Sequence, residues 1–265
     1  MTRILATLCA ALLAALPLAS RAAPFKVYSP TVQRGVTEVE YRGYVDSDHR
    51  SELDKSQQQR FSVGYGFTDF WFSELYTVYE KDGSAPLKNE SIEWENLFQL
   101  TPQGKYAVDY GLLAEFEFAT RSGDPNEFSI APIFESELSR HLLATVNLFF
   151  ERQFGGTERE PGTTFAYAGR LRYRLDPHFD PALEVFGEPG EIGRFGAWNR
   201  QEHWMGPAFY GEARLGHGAL EYSAALLFGT SQAASQAHPG QFGLGFHPSA
   251  RHILDGPFCR DGGMA

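Results

Sequence analysis

The chain has 265 residues, 43% hydrophobic, 21% charged and 14% aromatic, with 27 Gly and 15 Pro. That mixture excludes collagen, a coiled coil and wholesale disorder, and suits one domain of barrel or sandwich size. Acids exceed bases, 33 to 23, for a net charge of −10, so no nucleic-acid partner is expected, because phosphate binding needs a basic face. Nothing after residue 22 approaches about 18 consecutive apolar residues, which excludes a spanning helix there but not a spanning strand, apolar only at every second position.

Residues 1–22 read as a secretory signal: Arg3 supplies the positive start, Ile4 to Leu18 an apolar run, and Ser20-Arg21-Ala22 a small-x-small cleavage site. Cys9 lies within it, preceded by Leu8 where lipid attachment would want a small residue. Cys259 is then the one thiol left, so no internal disulfide is expected, and a closed sheet is a natural source of stability instead.

From Val36 onward, apolar and polar side chains alternate in segments of about ten residues, the period of a strand with two unlike faces. The segments fall near 36–45, 57–66, 70–79, 90–100, 106–118, 127–135, 141–151, 165–175, 182–188, 202–212, 219–228 and, weakly, 241–248. In one of the clearest, Tyr106, Val108, Tyr110, Leu112, Ala114, Phe116 and Phe118 share a face opposite Asp109, Gly111, Glu115 and Glu117. In another, Phe165, Tyr167, Gly169, Leu171 and Tyr173 oppose Ala166, Ala168, Arg170, Arg172 and Arg174.

The links alternate in length. Longer polar ones lie near 46–56, 80–89, 119–126, 152–163, 189–201 and 229–240, and shorter ones near 66–69, 101–105, 136–140, 176–181 and 213–218. Long external loops alternating with tight periplasmic turns characterise an outer-membrane barrel. The expectation is therefore an all-β, single antiparallel up-and-down transmembrane barrel of about twelve strands. Residues 23–250 form the barrel, followed by an irregular tail over 251–265. A soluble periplasmic sandwich that binds a ligand would show the same alternation. Aromatic residues near segment ends favour lipid: Trp71, Tyr79, Trp94, Tyr106, Tyr173, Trp204 and Tyr222 read as interfacial girdles.

Several motifs carry a family likeness. Phe25-Lys26-Val27-Tyr28-Ser29-Pro30, Glu38-Val39-Glu40-Tyr41-Arg42-Gly43, Ile92-Glu93-Trp94-Glu95-Asn96 and Phe149-Phe150-Glu151-Arg152 together resemble an uncharacterised group of proteobacterial outer-membrane β-barrels, over roughly 25–229. The resemblance implies the fold and the membrane, and brings no catalytic residues. The chain departs from barrels of that kind at its end. They close on a C-terminal aromatic residue read by the assembly machinery, whereas here alternation stops after Phe246 and Pro248 and Pro257 disfavour further strand.

With aromatic faces in lipid, Glu40, Arg42, Arg60, Glu74, Glu93, Glu95, Asp109, Glu115, Glu117, Glu135, Glu151, Arg170, Arg172, Arg174, Glu184 and Glu188 point inward. They either bridge and plug the lumen or line a wet passage that favours cations. The Arg170, Arg172, Arg174 ladder, spaced about 6.5–7 Å apart, needs countercharge from adjacent strands or a solute. The function expected is a narrow passive, porin-like channel or a structural wall protein. Its partners are outer-membrane lipid, lipopolysaccharide, the assembly machinery and small solutes.

An enzyme is the second class. Glu93 with Glu95, and Glu115 with Glu117, have a spacing compatible with inverting glycoside hydrolysis, but any i, i+2 pair in a strand has it. A membrane-embedded, lipid-acting hydrolase needs a nucleophile and base together; His141 and Asn147 share a face without a serine on that strand. The histidines (His49, His141, His178, His203, His217, His238, His247, His252) are scattered without ligand spacing and read mostly as solvated loop or turn positions. No metal or cofactor is expected. The acidic stretch from Asp46 to Asp54 reads as a solvated external loop.

Overall fold

The computed structural model describes residues 26–47, 54–157, 159–215, 218–237 and 240–251. The signal at 1–22, both cysteines and the tail beyond Arg251 lie outside them. Among the described residues, twelve strands run in chain order: β1 (Val36–Ser47), β2 (Gln57–Gly66), β3 (Trp71–Lys81), β4 (Lys88–Gln99), β5 (Asp109–Ala119), β6 (Asn126–Glu137), β7 (Leu142–Phe154), β8 (Thr163–Tyr173), β9 (Asp180–Glu191), β10 (Glu202–Leu215), β11 (Gly218–Gly229) and β12 (Gly240–Arg251). Each pairs antiparallel with its sequence neighbours, and β12 pairs with β1, so the sheet closes on itself. Closure leaves no open edge, which is what a strand needs where no water can satisfy its backbone.

Alternation sets the two faces. On the outside, cross-strand neighbours Trp94, Phe116 and Phe128 form a continuous row over β4, β5 and β6, with ring centroids 5.8 and 4.8 Å apart. Trp71, Tyr79, Tyr173 and Tyr222 share that outer face, and Tyr106 stands exposed in the turn before β5. Trp204 does not belong to the girdle. It points inward, 2% exposed, in a core with Phe149, Ala166, Ala168, Phe186, Leu227 and Ala234. Ala234 belongs to a short helix, α1 (Gln232–Ala237), in the β11–β12 link, whose entry Ser231 caps by accepting from Ala234 N–H at 3.2 Å.

The last strand runs beyond where alternation fades. β12 continues through Pro248, and its ladder to β1 breaks there, between Glu38↔Ser249 and Tyr41↔Phe246. Pro132 and Pro207 sit in equivalent gaps. A missing N–H is tolerated where one rung is omitted and the flanking rungs hold the register. The links also alternate less strictly than expected. The segment 100–108 is longer than 120–125, because Gly104 N–H bonds Asp109 (2.8 Å) and Tyr110 N–H bonds Thr101 (2.9 Å), turning it into a compact loop.

Candidate functional site

β1 begins and β12 ends at one mouth of the barrel, the terminal mouth; the longer links crowd the other, the loop mouth. From the terminal mouth, residues 26–33 fold up into the lumen as a strap. Gly111 makes room for it, since a Cβ there would stand 2.7 Å from Cβ of Pro30. Val27 and Tyr28 pack against inward-facing Leu113, Ala131, Ile133 and Phe149, and polar contacts fix the register. Asn147, fully buried, uses both halves of its amide on one residue: its Oδ1 accepts from Tyr28 N–H (2.7 Å) and its Nδ2 donates to Tyr28 C=O (2.9 Å). Tyr28 O–H donates to Glu95 (2.7 Å), Ser29 O–H to Glu135 (3.1 Å), and Val32 N–H to Gln99 (2.8 Å). Burial, and then the Glu95 carboxylate, push the Tyr28 phenol well above its ordinary range.

At the strap's end, Lys26 Nζ donates to Glu40 (2.7 Å) and to Tyr76 Oη (2.8 Å). Burial works against this ammonium, but the carboxylates of Glu40, Glu74 and Glu95 together outweigh it and raise the Lys26 pKa. Tyr76 shares its O–H between Glu40 (2.6 Å) and Glu74 (2.9 Å). Glu40 also meets Arg42 at 3.3 Å and His247 at 3.1 Å.

The sequence-derived charged residues lie on strand positions of inward parity, except Arg174, one residue past the end of β8, and they meet different settings. Glu74 accepts from Ser62, and Glu135 from Thr145 (2.8 Å). Arg60 pairs with Glu93 and stands 3.8 Å from Glu95. Carboxylate oxygens of Glu93, Glu115 and Glu117 lie within 4.8 Å of one another. Asp109 sits at the terminal mouth; Glu151, nearer the loop mouth, accepts from Thr164 O–H (3.3 Å); Glu188 lines the loop-mouth chamber described below. The arginine ladder is met residue by residue. Arg170 lies over the Tyr210 ring at 4.7 Å, with Glu184 opposite it in register. Arg172 pairs with Asp180 at 2.7 Å, and Arg174 with Glu137 at 2.6 Å.

Other residues take places the sequence reading did not give them. His247 faces inward onto Glu40 and is not a turn residue. His203 is buried under a stacked Trp198, centroids 3.7 Å apart, with Tyr167 Oη and Gln201 Oε1 each 2.9 Å from a ring nitrogen. Asp46 is not a solvated loop residue: it is buried at the end of β1 and accepts from Gln241 (2.8 Å). Tyr76, Tyr210, Asp180 and the inward folding of residues 26–33 were not expected from the sequence. Tyr76 alone carried a visible sign, an aromatic on the polar parity of β3 between Glu74 and Glu80. The interior is also not uniformly charged, because the strap and α1 enter it and the wall they cover is apolar.

Two chambers stand out among the described residues. The inner one, about 520 Å³, runs beside the strap and is lined by Arg42, Arg170, Tyr210, His247 and the small residues Ser223, Ala225, Gly243 and Gly245. The second, about 160 Å³, lies at the loop mouth and is lined by Glu80, Glu90, Glu93, Glu115, Glu117, Glu127, Glu151 and Glu188 with Arg60. Among the described residues, only Gln58 and Arg60 line both.

A closed antiparallel barrel with a polar interior and an aromatic exterior is the architecture of porins. No family model and no curated protein sequence matches the chain. Among solved structures it is similar to the KdgM porin, determined in complex with disordered oligogalacturonate, at 7% identity and a TM-score of 0.53, covering 79% of this chain and 97% of that one. It is likewise similar to the NanC porin, at 8% identity and a TM-score of 0.54, covering 81% and 100%. At such identities the likeness is one of fold.

Proposed function

We propose that the chain is a narrow passive channel of the Gram-negative outer membrane, carrying small ionic solutes and favouring cations. The observation that carries the reading is the pair of chambers, one at the loop mouth and one beside the strap: a solute enters through the carboxylate-lined loop-mouth chamber and leaves along the glycine- and serine-faced side of the inner one. Fixed carboxylates at a mouth concentrate cations there and depress anions. Residues 1–22 direct export and the assembly machinery inserts the barrel. Lipopolysaccharide surrounds its loops, as the likeness to proteobacterial barrels implies. The oligogalacturonate of the KdgM complex extends the fold's repertoire to charged sugars, but here each ladder arginine already faces a protein partner.

Hydrolysis is less well supported. His141 sits in the turn before β7 and stacks on Tyr173 on the outer side, centroids 5.7 Å apart, while Asn147 is occupied by the strap. The chamber holding Glu93, Glu115 and Glu117 is smaller than the roughly 300 Å³ that ligand pockets need.

Gly243 tests the route. A Cβ there meets only the Gly43 carbonyl oxygen, at 3.9 Å, so a side chain enters open space without displacing wall. In planar bilayers the protein gives discrete conductance steps with a cation-favouring reversal potential, and Gly243→Phe lowers the unit conductance several-fold while heat-modifiable gel migration stays normal. Unchanged conductance in a folded Gly243→Phe protein would remove this route.

A further inference from the structure

The structure assigns Arg60 as the residue that sets ion selectivity at the neck between the two chambers, an inference that rests on the channel reading. Position is the first ground. With Gln58 it borders both chambers, so a solute leaving one for the other passes its side chain. The second is how it is held. Arg60 stands on β2 and reaches across β3, with its guanidinium carbon 5.2 Å from the centroid of the Tyr76 ring, to Glu93 and Glu95 on β4. Arg60 is 7% exposed and cannot swing into solvent as a surface arginine does. The third is what surrounds it. Glu93, Glu115 and Glu117 crowd together on its loop-mouth side, and Arg60 is the arginine or lysine among that chamber's lining residues. Its Nε is buried with no hydrogen-bond partner among the described residues.

These facts define a tethered counter-ion. The carboxylates draw cations into the loop-mouth chamber, and the fixed guanidinium at its exit takes the place that a mobile cation would occupy. Entry is cation-favouring and the neck moderates it. Removing the charge without the carboxylates leaves the loop-mouth carboxylates unopposed at the neck and widens the opening.

The experiment uses full-length protein in planar bilayers under a KCl gradient, comparing wild type with Arg60→Gln, Arg60→Lys, Glu93→Gln and Arg194→Gln. Arg194 is exposed in the β9–β10 link, paired with Glu191, and lines neither chamber. Arg60→Gln raises the cation-to-anion permeability ratio about threefold or more and raises unit conductance. Arg60→Lys keeps a ratio near wild type, Arg194→Gln changes neither reading, and Glu93→Gln lowers the ratio. Should Arg60→Gln fail the heat-modifiability check, the Glu93→Gln shift and the Arg60→Lys ratio decide. Wild-type selectivity in folded Arg60→Gln, with Gly243→Phe still lowering conductance, overturns the neck and leaves the channel. Absence of steps in every variant, including one with the strap replaced, removes the channel itself.

Discussion

Asn147 shows how much one side chain can fix. It sits on β7, and its amide closes two hydrogen bonds on the backbone of Tyr28, 119 residues earlier. Asn147→Leu keeps the branched heavy-atom skeleton and strands both backbone groups, at roughly 1–3 kcal/mol for each buried group left unsatisfied. The expected result is a strap that loosens, read as larger and noisier conductance steps, in a barrel that still migrates as folded. Tyr28 sets a pH limit on the same contact. Its phenol is raised in the folded state, so the stabilisation it contributes is complete below the unfolded value of about 10 and is lost only as pH rises beyond it. Conductance therefore stays flat with respect to this group between pH 7 and 9, and Tyr28→Phe leaves that flatness unchanged. A step in wild type alone, absent from Tyr28→Phe, would contradict the assignment. Neither residue announced its role in the sequence. An asparagine at an inward position reads as ordinary wall, because its partner is main chain, which has no signature.

Among the elements, strands were the most legible and the strap the least. Period-two alternation located all twelve strands because each has two unlike media at its faces. It weakened where the inner medium ceased to be water. In β6, β7 and β8 the inward positions carry Ala131, Ile133, Phe149, Ala166 and Ala168, apolar on the side expected to be polar, because strap and helix cover them. These apolar inward residues are the footprint of a lumen-filling segment. The motif around Lys26 to Pro30 was noticed as a likeness, but nothing local could place it inside, since it is neither helix nor strand. Gly111 gives the element-level test. Gly111→Val drives branched carbon into Pro30, already 2.7 Å from a single Cβ, and should displace the strap. Protease cleavage within 26–33 in detergent-solubilised protein would then rise, with gel migration of the folded barrel unaltered. Equal protection of variant and wild type would show that the strap does not rest on β5.

On the scale of the molecule, the sheet closes without help from the strap. β12 meets β1 along ten register pairs despite Pro248, so the wall and the lumen contents are separable. The fold was readable because an apolar exterior and a polar lumen impose opposite demands on alternate residues of most strands. The pairing of the inward charges was not readable, since Arg60 with Glu93 joins non-adjacent strands and depends on barrel curvature. The most direct measurement is single-channel recording of wild type beside a protein whose residues 26–33 are replaced by a glycine–serine stretch of equal length. Discrete steps in both, larger with the replacement and with cations favoured across a salt gradient, are the predicted result. A silent bilayer from folded, detergent-extracted protein of both kinds would contradict the reading of the interior as a passage.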